Sequence, residues 1–378
     1  MKITKATIHS VRFPLKEPFI ISYATYPDMP GIILKLETDI GLTGFGEAVP
    51  DEHVTGEQVD AMFEVLKNVL IPRIIGRSPF DIEEIHHQMD AAISHNPAAK
   101  AAIDIACYDL MGKAAGHPVY NLIGGRAHDT LQYPKVLSIE APEIMVEKAK
   151  LAQTQNFSSL KLKVGRDDAA LDIACIYAVR EAVGKDMPIR IDVNQGWQTV
   201  GIAVQTINRL EGANLTWIEQ PIRMGDIRGL AEVRRKVSTP IMVDESMQSM
   251  RDVLEIIRLN AADYINIKLM KTGGIYKAVQ IAKAAEAAGV IAQIGSMVES
   301  SIGSAAGYHA VMSRKNIQTA ELTGPLLFAE EIGNLLYEPP NVKLSGKPGL
   351  GIDIDEQQLK KLTKKSAIIE GGNQINDH

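Results

Sequence analysis

Between residues 131 and 324 short apolar runs recur at 134–139, 159–164, 188–193, 215–219, 240–244, 263–268, 290–294 and 317–321, separated by amphipathic stretches of helical period. Strand and helix in strict alternation imply a parallel sheet, because each helix returns the chain to the end from which the next strand starts. Eight such strands within about 190 residues predict a closed (β/α) barrel. Ala-rich 276–288 is the clearest of the intervening helices. An open doubly wound sheet is the other architecture, but no Gly-x-Gly-x-x-Gly follows the first strand to support a nucleotide site. The alternation stops after Gly324-Pro325, and Pro339-Pro340 and Gly346-Lys347-Pro348-Gly349 punctuate the tail with turns.

Ahead of the barrel, residues 2–13 and 31–48 read as antiparallel strands, the latter folded back across the turn Thr38-Asp39-Ile40-Gly41. A loop from Pro18 to Pro30 carries Tyr23, Tyr26 and Asp28, and a second, from Ala48 to His53, carries Asp51 and Glu52. Helices are expected at about 55–74, 81–94 and 97–115. Asn96 and Pro97 suit the start of the last helix, and Gly116 with Pro118 suits its end. Gly124-Gly125 marks a boundary. The tail after residue 325 is expected to return and pack on the N-terminal part, its final polar residues fraying.

The formal charge of −6 carries no basic stripe, so nucleic acid is not an expected partner. The apolar runs are too short to span a bilayer. Two cysteines and no signal-peptide pattern point to the cytoplasm. A homo-oligomer acting on a small molecule is the expected form.

Polar residues close the apolar runs in step with the fold. Lys163, Asp192, Glu219, Asp244, Lys268, Ser296 and Glu321 follow one another at intervals of 29, 27, 25, 24, 28 and 25 residues. In a barrel this places all seven on the C-terminal rim, where such folds carry their active sites. Each acid alone reads equally well as a helix cap. Together, three carboxylates from consecutive strands would repel unless a cation sat between them, and an all-oxygen set selects a hard ion, Mg²⁺ before Zn²⁺. Asn194 shares a strand face with Asp192, as Asn266 does with Lys268. Lys161 and Lys163 share a face one strand before the acids, and Lys268 lies one strand after them. Mg²⁺ on a substrate carboxylate acidifies the α-proton by stabilising the enediolate left behind. Lys163 and Lys268, on opposite faces of that carbon, would remove and return a proton, which is racemisation or epimerisation. Lys161 would bind a substrate carboxylate oxygen and lower the pKa of Lys163 by repulsion.

Lys161-x-Lys163, Asp192-Val193-Asn194-Gln195-Gly196-Trp197, Trp217-Ile218-Glu219-Gln220-Pro221, Asp244-Glu245-Ser246 and Asn266-Ile267-Lys268 resemble the enolase superfamily, muconate-lactonising subgroup. Ala101-Ala102-Ile103-Asp104-Ile105-Ala106 and Gly346-Lys347-Pro348-Gly349-Leu350-Gly351 extend the resemblance nearly end to end. It implies a (β/α)7β barrel over 127–324 and an α+β capping domain built from both chain ends, 1–126 plus 325–378. It also implies Mg²⁺ on Asp192, Glu219 and Asp244, with Lys163 and Lys268 as the acid/base pair. The mandelate-racemase branch is disfavoured, because Gly295-Ser296-Met297 stands where that branch has a histidine.

Dipeptide epimerases of the subgroup hold the substrate ammonium with Asp-x-Asp at the eighth strand, and here those positions read Glu321-Leu322-Thr323. That run through Gly324-Pro325, with Ser296 in Gly295-Ser296-Met297-Val298-Glu299-Ser300-Ser301, is more similar to N-succinylamino acid racemases, notably those for N-succinyl-Arg and N-succinyl-Lys. Asp28, Asp51 and Glu52 on the two capping loops would suit a cationic side chain. The expectation is a Mg²⁺-dependent racemase of N-acylated basic amino acids. The alternatives are a dipeptide epimerase and, further off, an o-succinylbenzoate synthase, a cycloisomerase or a non-catalytic metal-binding barrel.

Overall fold

The computed structural model describes residues 1–22, 24–371 and the backbone of 374–377. Tyr23 lies outside the described residues. The chain opens with three antiparallel strands, β1 (Ile3–Ile20), β2 (Thr25–Thr38) and β3 (Thr43–Ala48). A short β4 (Leu131–Gln132) precedes the barrel strands β5 (Lys135–Leu137), β6 (Leu160–Lys163), β7 (Ile189–Asp192), β8 (Ile218–Glu219), β9 (Ile241–Val243), β10 (Tyr264–Ile267), β11 (Ile291–Ile294) and β12 (Ile317–Ala320). In the tail, β13 (Leu336–Glu338) and β14 (Asn341–Lys343) return to β4, while β15 (Thr363–Glu370) and β16 (Gln374–Asp377) extend the first sheet in the order β16-β15-β1-β2-β3.

All eight barrel strands fall within the eight apolar runs and pair in parallel, each with the next. Seven helices of ten to fifteen residues follow the first seven strands, from Pro142–Thr154 to Ser301–Met312, and only the four-residue Gly324–Leu327 follows β12. The sheet curls far enough for Arg190 of β7 to donate through Nη1 to Thr319 Oγ1 of β12 at 3.0 Å. This is the (β/α)7β barrel with an antiparallel cap drawn from both chain ends.

The ribbon at 18–30 differs from the expected loop. β1 and β2 run on as a pair to Phe19↔Tyr26 and Ile20↔Thr25, with a bulge between Pro14 and Phe19. Pro14, Pro18, Pro27 and Pro30 all lie on this ribbon, where proline is tolerated wherever its nitrogen is not called on to donate. Gln374–Asp377, expected to fray, pairs with β15 as the edge strand of the sheet.

The capping sheet packs on helix Pro97–Ala115, buried from Ala98 to Gly112. Close approach depends on small residues. A Cβ on Gly46 would lie 1.8 Å from the carbonyl oxygen of Ala102, so no side chain fits there. Gly116, in the left-handed region, ends the helix as expected, but Asn96 does not cap its start. Asn96 is itself left-handed, with φ 52°, and its amide bonds Ser94 O. The buried Glu57 carboxylate takes its place and accepts from the N–H groups of Ala98 and Ala99, both at 3.1 Å.

Two further buried acids of the cap reach helix N-termini of the barrel, where unpaired N–H groups favour negative charge. Asp104 accepts from Ile275 N (2.5 Å), Tyr276 N (3.2 Å) and His86 Nε2 (2.8 Å), at the head of helix Ile275–Ala287. Glu47 accepts from Ser300 N, Ser300 Oγ and Gly303 N at 2.7–2.8 Å, at the head of helix Ser301–Met312. These contacts fix the loops after β10 and β11 relative to the cap. No helix among the described residues is long and apolar enough to cross a membrane.

Candidate active site

Asp192, Glu219 and Asp244 end β7, β8 and β9, or directly follow them, and their side chains meet inside the rim. One ligand oxygen from each lies within 4.8 Å of the others, and all three residues are buried. One oxygen of each carboxylate is tied to the protein. Asp192 Oδ1 accepts from Asn194 N (3.0 Å), Glu219 Oε1 from Asn266 Nδ2 (2.8 Å) and Asp244 Oδ1 from Lys271 Nζ (2.5 Å). The other oxygens face a ring of ammonium groups. Asp192 Oδ2 lies 2.7 Å from Lys163 Nζ and 2.9 Å from Lys161 Nζ, Glu219 Oε2 lies 2.9 Å from Lys161, and Asp244 Oδ2 lies 2.8 Å from Lys268. Both of the latter contacts, Lys161 on Glu219 and Lys268 on Asp244, are buried ammonium–carboxylate ion pairs. Three carboxylates, each anchored by one oxygen and presenting the other, form a set that fits a hard divalent cation.

Lys163 on β6 and Lys268 after β10 flank the three acids from opposite sides, as the strand order requires. Lys161, one step from Lys163 on the same face, reaches across to Glu321 beyond β12, at 2.7 and 2.8 Å from its two oxygens. Burial opposes the charge on Lys161, but Asp192, Glu219 and Glu321 outweigh it and hold its pKa well above the ordinary value. Burial likewise opposes Lys268, and Asp244 with Glu245 reverses the effect. Asp192 and Asp244 sit below the usual carboxylate range: burial alone would raise both, but lysines on either side dominate. Burial and Asp192 push Glu219 well above it, with Lys161 offsetting only part.

A cavity opens above these groups, lined by Lys161, Lys163, Asn194, Lys268, Ser296, Glu321 and Thr323 from the barrel. Phe19, Ile21, Tyr26, Met29, Pro50 and Asp51 close it from the cap. Ser296 Oγ donates to Glu299 Oε2 (2.5 Å), which orients it at the rim. Asp51 lies 3.5 Å from the Tyr26 hydroxyl. Burial and the acids Asp51 and Glu52 push the Tyr26 pKa upward. Glu52 is exposed and does not line the cavity. Asp28 also stays outside. It is not among the lining residues and pairs with Arg12 at 2.8 Å.

Beside the acids, two buried cations were not singled out in the sequence. Lys271 holds Asp244 Oδ1, Asp244 O and Asn266 O. Its signal was helical spacing, three residues after Lys268. Arg190 lies over the Trp217 ring at 4.7 Å, inside the barrel. Its signal was alternation, two residues before Asp192 on one strand face.

Family comparison agrees with this geometry. The family "Enolase C-terminal domain-like" matches residues 144–358, and "Mandelate racemase / muconate lactonizing enzyme, N-terminal domain" matches residues 3–124. The chain belongs to the enolase superfamily, in the group that unites mandelate racemase with the muconate-lactonizing enzymes. Among its relatives, the N-succinyl-L-Arg/Lys racemase of Bacillus cereus is 50% identical over 98% of this chain and 100% of its own, and its crystal structure superposes with a TM-score of 0.97 over the same shares. The L-Ala-D/L-Glu epimerase of Bacillus subtilis is 37% identical over 93% of this chain and 97% of its own. A dipeptide epimerase from Cytophaga hutchinsonii, solved with Mg and the dipeptide D-Ala-L-Val, is 32% identical and superposes with a TM-score of 0.94 over 98% of this chain and 100% of that one.

Proposed function

We propose that this chain is a Mg²⁺-dependent racemase of N-acylated amino acids, with N-succinyl-Arg and N-succinyl-Lys as substrates. The observation that carries the reading is the pair of lysines, Lys163 and Lys268, on opposite flanks of three buried carboxylates. Asp192, Glu219 and Asp244 would hold the ion, which when bound would stabilise negative charge on the substrate carboxylate. Lys163 takes the α-proton of one enantiomer and Lys268 returns a proton to the opposite face, or the reverse. Lys161 holds a carboxylate oxygen of the substrate.

Formal charge supports the arrangement. Asp192, Glu219, Asp244, Glu245 and Glu321 are matched by Lys161, Lys163, Lys268, Lys271 and Arg190, all buried. A divalent cation is then offset by the substrate carboxylate and by the neutral form of whichever lysine acts as base.

An N-acyl substrate is favoured over a dipeptide because Glu321 is already engaged by Lys161 and Thr323 carries no charge, which leaves no acid at the eighth strand for a free ammonium. The cap supports a basic side chain: Phe19, Ile21 and Met29 suit an aliphatic stem, and Asp51 suits its cationic end. We assign residues 1–126 and 325–378 to the capping domain, 127–324 to the barrel, and the protein to the cytoplasm, where its two buried cysteines stay unpaired.

The test is solvent exchange. With Mg²⁺ in D₂O, N-succinyl-L-Arg should lose its α-proton signal and its optical rotation together, and Lys268→Ala should abolish racemisation while sparing exchange of one enantiomer. Turnover of Ala-Glu or Lys-containing dipeptides alone would overturn the substrate assignment, and full racemisation by Lys268→Ala would overturn the lysine roles.

A further inference from the structure

Ser22 stands at the tip of the β1–β2 ribbon, where Ile21 N donates to Ala24 O at 3.0 Å. Its hydroxyl leaves the cap and donates to the backbone carbonyl of Asn194 at 2.8 Å. Asn194 sits in the left-handed region, with φ 42°, and Gln195 follows it there with φ 69°, a conformation that side-chain-bearing residues adopt at a cost. The Asn194 side chain is fully used: Oδ1 accepts from Lys163 Nζ and Nδ2 donates to Glu245 Oε1, both at 3.0 Å. One peptide therefore receives the cap on its carbonyl and aims Lys163 with its amide. The approach is close. Gly165, directly across from Ser22, has φ 103°, and a Cβ there would lie 3.2 Å from Ser22 Cβ and 2.3 Å from Val193 O. Lys268, on the other flank, takes its ion pair from Asp244 of the barrel.

We propose that Ser22 is a positioning residue chiefly for Lys163, which bonds Asn194 directly, whereas Asn194 reaches Lys268 only through the charge of Glu245, so that seating of the ribbon tip on Asn194 governs proton transfer at one face of the substrate more than at the other. The inference rests on the two-lysine reading above. If it holds, loss of the Ser22 hydroxyl slows one half-reaction selectively. The overall equilibrium between enantiomers is unity, so kcat/KM for racemisation must fall equally in both directions. The asymmetry is visible only in exchange without inversion, where each enantiomer returns to the lysine that deprotonated it.

The experiment follows deuterium entry into unreacted N-succinyl-L-Arg and, separately, N-succinyl-D-Arg, at initial rates with Mg²⁺ in D₂O, for wild type, Ser22→Ala and Ser22→Thr. Expected for Ser22→Ala is a slowing of about fivefold for one enantiomer, the effect of one lost hydrogen bond, with the other within about 1.5-fold of wild type. Ser22→Thr, which keeps the hydroxyl, restores the faster rate. Equal slowing of both enantiomers, with or without a lower melting temperature, overturns the proposal, as does no slowing at all. Wild-type protein that exchanges neither enantiomer overturns the proposed activity on this substrate instead, so the two failures are distinguishable.

Discussion

Asp104 offers a quantitative test of how the cap holds the catalytic rim. It is fully buried and accepts from two backbone N–H groups at the head of helix Ile275–Ala287 and from His86 Nε2. Asp104→Ala strips all three donors of their partner at once. Each buried donor left unpaired costs about 1–3 kcal/mol, and partial rescue by entering water brings the sum to roughly 3–5 kcal/mol. Unfolding entropy of about 2.1 cal/mol/K per residue gives a chain of this length close to 0.8 kcal/mol/K, so the thermal midpoint should fall by about 4–6 °C. Asp104→Asn keeps one acceptor oxygen and should lose about half as much. Calorimetry or circular dichroism on both variants reads the effect directly. Racemisation should decline as well, because the helix follows the segment that bears Lys268 and Lys271. An Asp104→Ala protein that melts within about 1 °C of wild type would refute the reasoning, as would Asp104→Asn melting below Asp104→Ala.

Glu47 should make stability pH-dependent. Burial raises its pKa from 4.5 to about 8 despite the donors of Ser300 and Gly303. Between those values the folded chain keeps a proton that the unfolded chain releases, so this group's contribution is fully present at low pH and is lost as pH rises towards 8. Glu47→Gln should gain stability relative to wild type between pH 5 and pH 8 in urea denaturation, and parallel curves would sink the assignment. Lys271→Met removes the anchor of Asp244 Oδ1 and should weaken divalent-cation binding, titrated calorimetrically with Mg²⁺, about 10- to 100-fold, whereas unchanged affinity would rule out an anchoring role.

The barrel was legible because its strands are buried on both faces and so appear as continuous apolar runs, each closed by a polar residue at the rim. Asp192, Glu219 and Asp244 could be grouped from spacing alone because each barrel unit consumes a similar length of chain. Cap contacts were harder to read, since they join residues far apart in sequence. Nothing local distinguishes Glu57 as the acid that serves Ala98 and Ala99, and Asn96 occupied the expected position with a backbone that turned its side chain away. Asp28 and Asp51 looked equivalent as loop acids until the fold put Asp51 on the cavity wall and paired Asp28 with Arg12 away from it. Lys271 and Arg190 carried readable spacing signals, but a lone cation in an apolar segment has many roles, and only the coordinates show which carboxylates lie within reach.

The pairing of β1 with β15 has a consequence for biosynthesis. The strand made first is flanked on one side by β2 and must wait for its other neighbour until residue 370 leaves the ribosome. At typical elongation rates of about 5–20 residues per second, that interval is roughly 20 to 70 s. Throughout it, the β1 edge exposes unpaired backbone groups that a second nascent chain could capture. Translation speed and chaperone occupancy of that edge, more than the strength of the finished barrel, should therefore set the yield of folded enzyme.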